Sequence, residues 1–160
     1  MTATYRVLIA DKIAADGLAP LREDPRFELI TKPGLSLADL TQALTEVDSV
    51  IVRSAAKVPR EAMSATTRLK VIGRAGVGVD NIDLEAAKKG NVTVVNAPMS
   101  TSLAVAELTF GLLLAVAREI PRADAGMKQA QWLKKELEGV ELNGKTLGVI
   151  GCGNIGAIVA

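Results

Sequence analysis

Short apolar runs recur along the first hundred positions, and polar stretches with helical spacing separate them. Residues 5–10, 27–30, 49–52, 69–72 and 92–96 are predicted strands, each rich in Val, Ile or Leu. The intervening segments predict helices at about 14–21, 36–44, 59–63 and 84–89. Ser36 is the expected N-cap of the second, with Asp39 in its first turn. Pro59 suits the first position of the third. Asp83 is the expected N-cap of the fourth, and Gly90 ends it. Apolar strands alternating with helices predict an α/β fold with a doubly wound parallel sheet.

The pattern changes at Ala97-Pro98. Residues 103–120 are apolar on nearly every helical face, interrupted by Glu107 and closed by Arg118-Glu119. The length suits a membrane span, but a charge near the middle and the lack of a second span argue against one. The expectation is a helix buried between domains or subunits. Pro121 starts another helix, to about residue 132. Polar residues around Lys134-Lys135 follow, then an apolar predicted strand at 146–150. The turn Gly151-Cys152-Gly153-Asn154-Ile155-Gly156 then opens a predicted helix at 154–160.

The chain has 160 residues, 49% of them apolar and 23% charged, which suits a soluble domain with its own core. A net charge of +1 gives no general attraction to nucleic acid or membranes, and 2% aromatics are too few to stack on single strands. One cysteine, Cys152, allows no internal disulfide, and only residues 7–10 are apolar before Asp11 interrupts. No signal peptide is read, and a cytoplasmic location is expected. The sequence contains no histidine. That removes the commonest general acid and base at neutral pH and any His-containing metal site, so no metal centre is expected.

Two groups of residues suggest chemistry. Within the G-x-G-x-x-G turn, Gly151 would allow a tight bend, Gly153 would let backbone approach a pyrophosphate, and Gly156 would allow close helix packing. The same turn also reads as a glycine-rich bend with no ligand. The second group is Arg53-Ser54 together with Arg74-Ala75-Gly76-Val77, each arginine following an apolar run. Ligands of parallel sheets bind beyond the carboxyl ends of strands, where guanidinium groups hold carboxylates and phosphates. Solvated surface arginines and a glycine turn fit that pattern equally. Lys134-Lys135 reads as a solvated charge run, and Cys152 as a small packing residue.

Taken together, Arg53-Ser54-Ala55-Ala56-Lys57-Val58, residues 73–87, Val95-Asn96-Ala97-Pro98, Ala106-Glu107-Leu108-Thr109 and residues 141–156 resemble the D-2-hydroxy acid dehydrogenases. The resemblance runs along essentially the whole chain. It implies a flavodoxin-like substrate-binding domain at 1–97, followed at 98–160 by the start of an NAD-binding Rossmann domain with its dimerisation helices. It therefore implies an N-terminal portion, in which the Rossmann domain is truncated after its first strand, turn and helix.

The resemblance places Arg53, Ser54, Arg74, Gly76 and Val77 at the substrate. It gives Lys134 a reach into a partner subunit's active site. Val77, Gly151, Gly153, Asn154, Ile155 and Gly156 would lie along the cofactor, NAD. Arg53-Ser54-Ala55 and Gly73-Arg74-Ala75-Gly76 favour the branch acting on 3-phosphoglycerate, in a homodimer or homotetramer. Other implied readings are a glyoxylate or hydroxypyruvate type of dehydrogenase, or a dimerising segment without catalysis. Met99-Ser100-Thr101-Ser102 departs from the family's asparagine-containing loop, which puts a substrate contact at Thr101 in doubt, although its hydroxyl could still cap the next helix. Asn154 stands where an arginine is usual. The family's histidine, its orienting glutamate and its polarising arginine have no counterpart in these residues, so no catalytic residue is assigned.

Overall fold

Five parallel strands form one sheet in a computed structural model that describes residues 4–160. Residues 1–3, on which part of the leader reading falls, lie outside the described residues. The strands are β1 (Tyr5–Ile9), β2 (Phe27–Thr31), β3 (Ser49–Val52), β4 (Val71–Arg74) and β5 (Thr93–Asn96), in the order β2-β1-β3-β4-β5. The connecting helices are α1 (Ala15–Arg22), α2 (Leu37–Leu44), α3 (Arg60–Ser64) and α4 (Leu84–Lys89). This is a doubly wound α/β sheet in which every strand points the same way.

Helices on both faces explain why Val7, Leu8 and Ile9 are all buried, without the alternation of a half-exposed strand. Leu8, Val50, Val52 and Ile72 pack with Leu40 and Leu44 of α2, Ala62 and Met63 of α3 and Ala87 of α4. On the other face Val7 and Ile9 pack with Leu18 of α1. Local signals set the helix starts. The Ser36 hydroxyl accepts the Asp39 amide at 3.2 Å, and Asp83 accepts the Ala86 amide at 2.8 Å.

Several predicted bounds move. Pro59 is the N-cap of α3 rather than its first residue. The fourth strand runs to Arg74 instead of ending at residue 72, because Gly73 and Arg74 continue the ladder opposite Ile51 and Val52. Backbone pairing, not side-chain polarity, ends a strand. Arg74 is therefore the last residue of β4, whereas Arg53 follows β3.

The chain divides after Pro98 into two compact units. The second holds α5 (Ser102–Ala117), α6 (Ile120–Lys128) and α7 (Gly156–Val159). Glu119, in the left-handed region with φ 51°, separates α5 from α6. The helix begun near Pro121 ends at Lys128, short of Trp132. Thr101 stands at the N-cap of α5, but its side chain makes no capping bond. Residues 146–150 form no strand. No neighbour pairs with them among the described residues, and an extended segment without a partner has no ladder to join. Leu147 and Ile150 are exposed. The helix expected at 154–160 is limited to Gly156–Val159. Leu103, Leu108, Leu112 and Val116 of α5 are exposed on the single chain. Among the described residues no helix is long and apolar enough to cross a membrane.

At the amino edge of the sheet, Asp48 gathers the starts of three strands. Its carboxylate accepts the Arg6 amide at 2.8 Å and both Nε and Nη2 of Arg68 at 3.0 Å, while its carbonyl accepts the Lys70 amide at 2.8 Å. The Arg68 hydrogen bonds are the main cause holding the Asp48 carboxyl below the usual carboxylate range. A depressed folded pKa contributes stability that is fully present above the unfolded value of about 3.9 and is lost as pH falls through the folded one. Asp48→Asn is therefore expected to melt below the native chain at about pH 6, with the gap narrowing on acidification below about pH 4. Thermal unfolding across that range checks this, and a constant gap would contradict it.

Candidate functional site

Parallel strands deliver all their carboxyl-terminal loops to one edge of the sheet. A cavity of about 310 Å3 opens there, lined by Asp11, Lys12, Pro33, Gly34, Arg53, Ser54 and Ala55. These residues follow β1, β2 and β3. A smaller cavity of about 100 Å3 shares Asp11, Gly34 and Ala55 with it.

Arg53 and Ser54 are exposed on the cavity wall. The Arg53 guanidinium donates through Nη1 to the Lys12 carbonyl at 3.3 Å, which leaves its other donors free of protein hydrogen bonds among the described residues. The backbone beneath is fastened from two sides. Asp11, only 6% exposed, accepts the Arg53 amide at 2.6 Å and the Ala56 amide at 3.1 Å. Asn81 donates through Nδ2 to the Arg53 carbonyl at 2.8 Å and the Ala56 carbonyl at 2.7 Å.

Arg74 lies one strand over, in register with Val52. Its Nε is buried and has no hydrogen-bond partner. Its guanidinium covers Gly76, where an added Cβ would collide with Nη1. Gly76 also has φ +155°, which favours glycine. The loop is tied to β5: Asn96 donates to the Val77 carbonyl at 2.6 Å, and the Ala97 amide donates to the Gly76 carbonyl at 2.9 Å. Arg53 and Ser54 thus share the cavity, whereas Arg74, Gly76 and Val77 are not among the residues lining it.

The remaining predicted residues lie in the second unit. Lys134 is exposed in the segment after α6. Gly151 has φ +92°, and Gly156 sits so close to the Gly151 carbonyl that a Cβ there would collide with it. Those two glycines are required by the turn itself. Gly153 is different: a Cβ built on it meets nothing within 4 Å. No protein contact demands glycine at Gly153, and the same holds at Gly111, Gly144 and Gly148. Asn154 and Ile155 complete the turn into α7, and Cys152 is exposed. Among the described residues, no cluster of three or more His, Cys, Asp or Glu could hold a metal ion.

Asp11 and Asn81 were not among the sequence candidates. Asp11 carried the same signal as Arg53, a polar residue directly after an apolar strand, and reads in sequence only as the end of that strand. Asn81 carried no such signal.

The family described as "D-isomer specific 2-hydroxyacid dehydrogenase, catalytic domain" matches residues 7–156. A D-3-phosphoglycerate dehydrogenase of Methanocaldococcus jannaschii is 48% identical over 151 residues, which cover 94% of this chain and 28% of that protein. The Rattus norvegicus protein of the same name is 45% identical over 152 residues, covering 92% and 28%. The chain thus spans less than a third of the length of these relatives. Among solved structures, the TT0316 protein of Thermus thermophilus superposes with a TM-score of 0.84 at 35% identity, covering 96% of this chain and 51% of that one. The NAD+-bound 3-phosphoglycerate dehydrogenase of Entamoeba histolytica superposes with a TM-score of 0.76 at 32% identity, covering 98% and 49%.

Proposed function

Because the chain belongs to the D-isomer specific 2-hydroxyacid dehydrogenase family, we propose that it supplies substrate recognition and cofactor-phosphate binding to an NAD-dependent oxidoreductase acting on 3-phospho-D-glycerate. The product would be 3-phosphohydroxypyruvate, in the step that opens L-serine synthesis. The observation that carries this reading is the cavity at the carboxyl edge of the sheet, with Arg53 and Ser54 on its wall. Arg53 and Arg74 bind the carboxylate and phosphate, with Ser54 beside Arg53 on the cavity wall and Gly76 and Val77 following Arg74 at the end of the neighbouring strand. Residues 1–97 form the substrate domain, and residues 98–160 open the cofactor domain.

NAD, when bound, supplies the hydride acceptor for the C2 hydrogen. Gly151, Gly153, Asn154, Ile155 and Gly156 hold its pyrophosphate, and Val77 lies on its side of the cleft. The support for that assignment is the spacing of Gly151, Gly153 and Gly156 at the start of α7. The exposed apolar side chains of α5 support assembly as a homodimer or homotetramer, in which Lys134 reaches the partner subunit's site. No group in the chain is assigned the hydroxyl proton, since the sequence contains no histidine.

The chain is expected to bind 3-phosphoglycerate by calorimetry and to form no NADH with it. Arg53→Ala should weaken binding roughly tenfold to a hundredfold, the range for loss of a charged hydrogen bond. Undiminished affinity in that variant, or tighter binding of glyoxylate than of 3-phosphoglycerate, would contradict the substrate assignment. Gly153→Ala should leave the melting temperature within about 2 °C, since the new methyl meets no protein atom, yet lower NAD affinity about tenfold or more. NAD binding equal to the native chain would remove the turn from the cofactor site.

A further inference from the structure

We propose that Asp11 and Asn81 are a paired set of positioning residues that hold the 53–56 loop in the shape that receives an anion. The proposal rests on the reading of that loop as the substrate's anion site. The two side chains act on the same two residues from opposite chemical sides. The Asp11 carboxylate takes the amides of Arg53 and Ala56, and the Asn81 carboxamide takes their carbonyls. Both ends of a four-residue loop are thereby fixed by four hydrogen bonds. The two carbonyls also set the orientation of the Asn81 side chain, whose Oδ1 is left buried with no partner.

The arrangement divides the loop's donors. Asp11 consumes the outer two amides. The amides of Ser54 and Ala55, between them, take no hydrogen bond among the described residues, and both residues line the cavity. A substrate oxygen there meets two unpaired amides and the Arg53 guanidinium.

The charge of Asp11 makes the case for a role in binding. A carboxylate in the wall of an anion site opposes the ligand, and burying it without an ion pair carries a further cost. Among the described residues Asp11 has no ion pair. Lys12 and Arg53 beside it leave the wall with two positive charges against one negative. Both amides converge on the one oxygen Oδ2, where a carboxylate makes the stronger charge-assisted hydrogen bonds and a neutral carboxamide oxygen the weaker ones. The carboxylate holds two and keeps them turned away from the ligand.

The test is made on the 15N-labelled chain, by amide hydrogen exchange without ligand and by titration with 3-phosphoglycerate. In Asp11→Ala, the Arg53 and Ala56 amides should lose protection and the apparent Kd should rise about tenfold. Asp11→Asn keeps one acceptor oxygen, so it should recover part of both and show about a threefold rise. Asn81→Ala should weaken binding severalfold, and the double variant should fall short of the product of the singles, because both act on one loop. Amides of Leu8, Val50 and Ile72 report the core. A purely structural role would lower their protection in step with affinity, and the graded rescue by Asp11→Asn would be absent. Unchanged affinity in Asp11→Ala or Asn81→Ala with an intact core overturns the proposal. If the native chain fails to bind 3-phosphoglycerate while the loop amides respond as stated, the substrate reading fails and the loop brace stands. If the native chain binds and the variants bind equally well, the reverse holds.

Discussion

The relative placement of the two candidate arginines depends on the parallel pairing of β3 with β4. Val52 faces Arg74 across the ladder, and Val50 faces Ile72. Those pairings place Val50, Val52 and Ile72 in one core. A slip of one residue would send that apolar set to the opposite face, so core burial fixes the register. The same register sets Arg53 one step beyond the strand and Arg74 at its neighbour's last position. Packing energy that has nothing to do with ligand therefore decides where two guanidinium groups stand.

The loops at that edge are then shaped by polar side chains from elsewhere in the chain. Asn96 at the end of β5 fastens the Gly76-Val77 turn, while Asp11 and Asn81 fasten the 53–56 loop. The opposite edge has its own organiser in Asp48, which joins the starts of β1, β3 and β4. Ordered loops on a rigid sheet present charge at lower entropic cost than loops that must order around the ligand. The second unit differs in character. Its α5 leaves large apolar side chains exposed, and its glycine turn follows a segment with no strand partner.

Much of the first unit was legible in the chain. Ser36 and Asp83 announce their helices because a capping bond is local, made within three residues. The strands are legible as apolar runs because both sheet faces are covered. What was not legible is non-local. Arg74 joins β4 because of a partner strand, not because of its own polarity. Asp11 meets Arg53 from 42 positions away in sequence, and Asn81 meets it from 28 away. The segment at 146–150 reads as a strand by composition, but a strand is a property of two segments. Of the sequence candidates, Arg53 and Ser54 share the cavity, Arg74, Gly76 and Val77 lie beside it, and Lys134 with the glycine turn belongs to the other unit.

The role proposed for the cavity between the ends of β1, β2 and β3 is to receive a phosphorylated hydroxy acid. A crystal structure of the chain with 3-phosphoglycerate tests it most directly. The ligand is expected in that cavity, with one anionic end within hydrogen-bonding distance of the Arg53 guanidinium and the Ser54 and Ala55 amides. Ligand bound elsewhere on the chain, with this cavity empty, would contradict it.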